Sequence, residues 1–293
     1  QLVTIDGNIM AIAFMANAQH LMYRTDLLKA AGVAAPKTYE EILAAADAIR
    51  SADLMQYPLT GTYKAGWNLG EEFVNLYIGL GGEFFESGTA VVAVNNDKGV
   101  AALNMMKQLT SYMHPDYLTV DSAIASPHLT QGQAAMGNIW GSRGSFVLDP
   151  AEQVGAVTGN MEFASAATIA GGSTPATTLW GDGFTLATNQ TDEEAATAFQ
   201  VMLEGADGEM VRANNDLAVW LDPAYDPQPA SAGVFASAAA GAQSYPMLPY
   251  MGILHTAFGS NIADFLQGKE SAEQTLTDIT DAYTAGAKEA GFL

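Results

Sequence analysis

Three short stretches place a tryptophan beside glycine or amide groups: Gly66-Trp67-Asn68, Trp140-Gly141 and Trp180-Gly181-Asp182. Tyr245 and Tyr250 add two more rings in a segment that reads as a turn. Flat aromatic faces next to amides, a carboxylate and open backbone suit a polyhydroxylated ring, which offers apolar C–H faces and a rim of hydroxyls. One tryptophan buries about 150–250 Å², worth several kcal/mol before costs at roughly 25 cal/mol/Å². A micromolar ligand needs about 8 kcal/mol, so two or three such platforms with hydrogen bonds suffice. The plain alternative is that each ring anchors a core.

Other chemistries find less support. His20, His114, His128 and His255 are dispersed, without the spacing of a metal motif. The run Gly141–Ser145, GSRGS, is neither a nucleophile elbow nor a phosphate loop. No catalytic residue, cofactor or metal is therefore expected. The acidic pairs Glu40–Glu41 and Glu193–Glu194 fall in first helical turns, where carboxylates favour the helix dipole. Glu71–Glu72 follows a tryptophan and a glycine, and a second reading makes it a glycosidase-like pair facing a cleft. Arg143 reads as a surface charge, or else as a clamp for an anionic sugar. Asn189–Thr191 formally matches a glycosylation acceptor, but its threonine already reads as a helix cap.

The chain carries 32 acidic and 11 basic residues, a formal charge of −21, and no cysteine. Such a surface repels phosphate backbones and anionic lipid, so nucleic-acid partners are not expected. Disulfides and thiolate metal sites are excluded. No apolar run approaches the roughly 20 residues needed to span a bilayer. The start reads as strand, turn at Asp6-Gly7-Asn8, and strand, and a chain opening in a hairpin is expected to have lost residues upstream.

Helices are marked by caps: Thr38 with Glu41, Thr191 with Glu194, and Ser271 with Gln274 each show capping-box spacing. Further helices are expected at Thr25–Ala31, Leu69–Gly79, Asp97–Met113 and Ser260–Gln267. Strands are expected at Ile9–Phe14, Leu21–Tyr23, Ala134–Ile139 and Phe184–Ala187. Segment Leu221–Gly241, rich in Pro, Ala, Ser and Gly, reads as a long irregular connection. Strands alternating with helices predict an α/β chain with mixed sheets.

Four stretches, in order, then carry a resemblance. DGNIMAIAFMANAQHLMYRTDLLKAAGVAAPKTYEEILAAADAI has a hairpin, a strand ending in tyrosine, an Asp-Leu…Ala-Gly helix and Pro-Lys-Thr opening the next helix. LTQGQAAMGNIWGS resembles an F-x-x-G-x-A-A-M signature with its following tryptophan. WGDGFTLATNQTDEEAATAFQVML and ADFLQGKESAEQTLTDITDAY resemble a strand-to-helix unit and a closing helix. Together they resemble the extracellular solute-binding proteins of ABC importers, in the carbohydrate-binding, maltose-type branch.

The resemblance implies a two-lobed periplasmic-binding-protein-like fold of class II type, with hinge crossovers and a ligand cleft between lobes. Residues 1–16 and 184–243 would form the first lobe, 17–183 and 244–293 the second. Members of the family carry about a hundred further residues before the opening hairpin. Without them the first lobe would be incomplete, exposing a sheet edge and apolar surface. The implied role is a periplasmic or extracellular monomer that binds a sugar, closes by hinge motion and delivers it to membrane permease subunits, with no catalysis. Ligand contacts would come from Asn17 with Gln19 or His20 at the first crossover, and from Trp67, Asn68, Trp140 and Gly141. Trp180 and Asp182 would serve at the return crossover, and Tyr250 and His255 at a third crossing, with Tyr245 less firmly placed. A binding protein for a non-sugar solute is the remaining alternative.

Overall fold

The computed structural model describes residues 2–5 and 7–293, so Asp6 of the expected turn lies outside the described residues. Strands are β1 (Leu2–Ile5), β2 (Asn8–Asn17), β3 (Gln19–Arg24) and β4 (Leu59–Gly61). They continue as β5 (Met136–Trp140), β6 (Met161–Ala164), β7 (Thr178–Phe184) and β8 (Gln243–Ser244). Helices run as α1 (Thr25–Ala30), α2 (Tyr39–Ser51), α3 (Trp67–Gly79), α4 (Asp97–Thr110), α5 (Ser122–Thr130) and α6 (Gly144–Leu148). After β7 come α7 (Asp192–Glu204), α8 (Gly208–Ala213), α9 (Ala232–Ala239), α10 (Met251–Leu266) and α11 (Ala272–Glu289).

The strands form two mixed sheets, ordered β1-β2-β7-β8 and β4-β5-β3-β6. Only β7–β8 and β4–β5 are parallel. Strands β2 and β3 are one extended stretch broken at Ala18, which is fully buried, and the chain changes sheet there. The local signals acted as their chemistry requires. Thr38, Thr191 and Ser271 each accept a hydrogen bond from the backbone N–H three residues on, and Glu194 closes a full capping box.

The main core lies on one face of the second sheet. There α3 packs on α10 and α4, and α11 closes over both, with Phe73, Tyr77, Leu103, Phe258, Leu276 and Tyr283 fully or nearly fully buried. Two glycines let α3 and α10 meet backbone to backbone. Gly66 N donates to Gly259 O at 3.1 Å, and a Cβ on Gly259 would stand 2.3 Å from Gly66 O.

Three expectations change. The return strand is Thr178–Phe184 rather than Phe184–Ala187, because pairing with β2 from Ile12 to Asn17, not local hydrophobicity, fixes its limits. The segment Leu221–Gly241 contains α9, whose Gly233, Val234 and Ser237 are buried. The helix expected at Ser260–Gln267 is α10, Met251–Leu266, so His255 lies within it; helix α7, by contrast, has no buried residue, and its Phe199 and Leu203 are each 43% exposed.

The helix contact gives a paired prediction. Gly259→Ala must push against backbone and should destabilise the protein by about 1–3 kcal/mol. Gly252→Ala, with nothing within 4 Å of its added methyl, should be neutral or stabilising by up to about 1 kcal/mol. Urea unfolding of the two variants at one pH measures the difference.

Candidate functional site

Gly66 precedes α3 with φ of +97°, a conformation that a side chain strains, and turns the chain so that Trp67 is the first helical residue. Trp67 is thus held by helix geometry rather than on a turn, yet it is 49% exposed. One turn on, Gly70 leaves room for His255 of α10, since a Cβ would stand 2.8 Å from its Cδ2. The His255 ring stacks on Trp67 with centroids 4.8 Å apart. Its Nε2 lies 2.8 Å from the Trp67 carbonyl, which can only accept, so Nε2 carries the hydrogen. Nδ1 of the neutral ring then accepts from the Tyr245 hydroxyl at 2.8 Å.

Trp140 ends β5 opposite Gln19, and Trp180 lies in β7 opposite Asn17, one on each side of the change of sheet. The three indoles meet: Trp67–Trp140, Trp67–Trp180 and Trp140–Trp180 centroids are 6.2, 5.6 and 6.1 Å apart. Trp67 and Trp140 are nearly parallel, and Trp180 stands edge-on to both. Tyr245 backs Trp180 at 4.3 Å. The fourth tryptophan, Trp220, packs with Phe14 in another part of the chain.

Beneath this patch lies a buried polar network. Trp180 Nε1 donates to Thr178 Oγ1 at 2.8 Å and to Glu71 Oε1 at 3.2 Å. Thr178 Oγ1 also contacts Glu71 Oε1 and lies 2.9 Å from Asn75 Oδ1. Asn75 donates to Gln19 Oε1, and Gln19 Nε2 donates to Thr62 Oγ1 and Glu72 Oε1. Thr62 completes the cradle of Glu72 with its hydroxyl and its backbone N–H. Burial pushes the Glu71 carboxyl up to about 8 against the hydrogen bond from Trp180. Burial likewise pushes Glu72 up to about 7, opposed by Thr62 and Gln19. It also holds His255 below the ordinary imidazole value, with the bond to the Trp67 carbonyl opposing.

Trp67, Trp140, Trp180 and His255 therefore converge, and Tyr245 joins them. Asn68, beside Trp67, is half-buried, and Asp182 is exposed two residues beyond Trp180, on the same side of β7. Asn17 is engaged by protein: its Oδ1 accepts from Ala18 N and Ser142 N, and its Nδ2 donates to Ser142 Oγ. Gln19 is a buried strut of the network. His20 is fully buried, and burial takes its pKa down to about 4. Gly141 serves packing, since a Cβ would meet Val234 Cγ2 at 2.2 Å. Tyr250 stands apart, with its ring against Phe85 and Phe292 and its hydroxyl donating to Thr89 O. Arg143 donates to Ser122. Glu71 and Glu72, at 0% and 3% exposure, face no cleft. That burial removes the open carboxylate pair a glycosidase needs. Sequence reasoning misses Thr62, Asn75 and Thr178; the polar residues Glu71, Glu72 and Asn75, at i, i+1 and i+4 of an otherwise apolar Leu69–Gly79 run, are the available sign.

A family model described as bacterial extracellular solute-binding protein matches residues 3–210. The chain belongs to this family. Its fold is that of solved solute-binding proteins. Maltose-bound MalE3 of T. maritima superposes with TM-score 0.83 at 21% identity, over 96% of this chain and 74% of that one. An ABC transporter solute-binding protein of Agrobacterium vitis with bound D-mannitol gives 0.82 at 20% identity, over 99% and 75%. Another from Agrobacterium radiobacter, in complex with ribitol, gives 0.81 at 22%, over 97% and 73%. A probable ABC transporter-binding protein of Deinococcus radiodurans is 29% identical over 142 residues, 47% of this chain and 31% of that protein. The match thus spans about a third of that curated relative's length. This family consists of binding proteins, not enzymes, and acts outside the cytoplasm. Among the described residues no helix is long and apolar enough to cross a membrane.

The buried titrating groups of this solute-binding protein give its stability a defined pH dependence. Folded Glu71 and Glu72 keep protons that unfolded carboxyls release near 4.5. The folded state binds more protons in that interval, so stability falls as pH rises through about 7 and 8. His20 and His255 act in the opposite sense, staying neutral where unfolded imidazoles protonate below 6.5. His20 offsets part of that fall between about 4.5 and 6.5, and His255 adds to the offset in the same direction. Urea unfolding should therefore show a shallower fall of stability below about pH 6.5 than above it, and a loss of roughly 2–4 kcal/mol between there and about pH 8.

Proposed function

We propose that this chain is the solute-binding component of an ABC importer and takes a neutral sugar or polyol on the Trp67–Trp140–Trp180 patch. The observation that carries the reading is the convergence of three indoles from three distant segments, at the place where the chain passes from one sheet to the other. Rings held at an edge-on angle offer two differently oriented platforms, so a puckered carbon skeleton can stack on one while its rim meets the other. Asn68 and Asp182 flank the patch as hydrogen-bonding partners for hydroxyls. Asn17, Gln19 and Gly141 support the crossover rather than touching solute, and Tyr250 lies outside the site.

The absence of a cation favours a neutral ligand. Arg143 is turned to Ser122, and His255 is held neutral by burial. Among the described residues, none that packs on these rings carries a cation to clamp a carboxylate or sulfate. The bound maltose, D-mannitol and ribitol of the structurally similar proteins fit the same chemistry. Of the proposed lobes, residues 1–16 with 184–243 and 17–183 with 244–293, the sheet change at Ala18 supports the first boundary, while the pairing of β7 with β2 draws Thr178–Gly183 to the first lobe as well. Solute held between them would stabilise a closed form by its differential contacts, and the permease would read that form.

Calorimetry with maltose, D-mannitol and ribitol tests the reading. At least one probe should bind without being chemically altered. Trp67→Ala, which removes an exposed ring at little cost to the fold, should weaken that binding tenfold or more, about 1.4 kcal/mol. Heat from none of the three, or unchanged affinity in the variant, would count against it.

A further inference from the structure

The carboxyl of Glu71 has no catalytic use, yet it lies fully buried directly under a ring of the patch. Its position follows from α3, in which every residue from Leu69 to Gly79 is buried. Helical spacing puts Glu71 and Asn75 on one flank, facing the return strand β7. There the indole N–H of Trp180 points at Glu71 Oε1, and Thr178 shares the same oxygen.

Counting hydrogens decides who donates. Thr178 has one hydroxyl hydrogen, and its oxygen already accepts from Trp180 Nε1. The side-chain nitrogen of Asn75 is directed to Gln19 Oε1, so its Oδ1 is left to accept the Thr178 hydrogen at 2.9 Å. The remaining Glu71–Thr178 contact then needs a hydrogen from Glu71. The other carboxyl oxygen, Oε2, is buried without a hydrogen-bond partner among the described residues, which a neutral carboxyl tolerates far better than an anion. The donor chain runs Glu71, Thr178, Asn75, Gln19 and ends on Glu72 Oε1, where three donors meet.

We propose that Glu71 is the positioning residue of the solute site, pinning the Trp180 indole edge and tying it through Thr178, Asn75 and Gln19 to the crossover strand β3. This rests on the reading of the patch as the solute platform. Loss of the Glu71 hydrogen turns a donor into an acceptor against the Thr178 oxygen and places a charge beside the buried Oε2. The chain must then reorganise, and the ring it holds shifts with it.

The groups facing Glu71 are few. Its own helix supplies Glu72, and the segment ahead of α10 supplies Tyr245, whose hydroxyl burial raises far above the ordinary phenol range. Helix α10 supplies His255, which titrates below 6.5. Strands β3 and β7 contribute Gln19, Thr178 and Trp180, which do not titrate, and Tyr39 and Tyr63 lie beyond Glu72 and are raised further. Between pH 7 and 9 the change therefore belongs to Glu71, whose carboxyl is pushed up to about 8, with Glu72 at about 7 as the neighbour to control for.

The experiment reads tryptophan emission of the ligand-free protein from pH 6 to 9.5, alongside maltose and D-mannitol titrations at the two ends. Wild type should show an emission change centred near pH 8, and any probe that binds should lose affinity several-fold across it. Glu71→Gln, which keeps both a donor and an acceptor but cannot titrate, should show a flat emission profile. Glu72→Gln should retain the transition. Thr178→Val removes the acceptor of the Glu71 hydrogen, an acceptor that favours the protonated form, and should move the midpoint downward, which keeps the test usable if Glu71→Gln folds poorly. A flat wild-type profile, or the same transition in Glu71→Gln, would overturn the proposal whether or not a probe binds. Absence of binding by every probe, with the emission transition intact and lost in Glu71→Gln, would instead discard the sugar reading and retain the tie between Glu71 and Trp180.

Discussion

The backbone contact between α3 and α10 is the constraint to which the rest of the structure answers. Gly66 and Gly259 let the backbones touch at one end of the crossing, and Gly70 leaves room there for the His255 ring. The inner flank at the start of α3 is then occupied, and Trp67 has only the outward direction open to it. His255, lodged in the space left at Gly70, is at the same time the floor under Trp67 and the partner of Tyr245, which backs Trp180. A helix crossing opened by glycines and filled by His255 thus sets the relative height of rings that come from three parts of the chain.

Burying Glu71, Glu72 and Asn75 on α3 is costly, since burial penalises both carboxylates and leaves Glu71 Oε2 unsatisfied, at roughly 1–3 kcal/mol for such a group. What it yields is register. Thr178 and Trp180 alternate with Leu179 along β7, and a slip by one residue would turn Leu179 toward the carboxyls. The same holds for Gln19 in β3, whose neighbours Ala18 and His20 could not bridge Asn75 to Glu72. The network therefore fixes two strands against one helix in a single alignment, a use of buried polarity in which specificity outweighs stability.

Much of this was legible locally. The caps at Thr38, Thr191 and Ser271 depend on residues three apart, and the sequence carries both halves of each. The type of chemistry at Trp67, Trp140 and Trp180 could be read from glycine and amide neighbours, which mark rings at the ends of elements. The burial of Glu71 could not, because Thr178 and Trp180 lie more than a hundred residues away, and an acidic pair after a tryptophan looks the same whether it faces water or core. Strand β7 was displaced toward its hydrophobic end for a similar reason, its limits being set by β2. Tyr250 was grouped with Tyr245 by proximity in sequence, but the start of α10 separates them, sending one ring to Trp180 and the other to Phe85.

The spacing of the indoles has an optical consequence. Three identical chromophores with centroids about 6 Å apart, held at fixed angles, do not absorb independently; their transition dipoles couple and give paired circular-dichroism bands of opposite sign. Trp220, removed from the patch, contributes no such pair. The chain therefore carries an intrinsic spectroscopic signature of its patch, whose shape reports the angle between rings rather than mere burial.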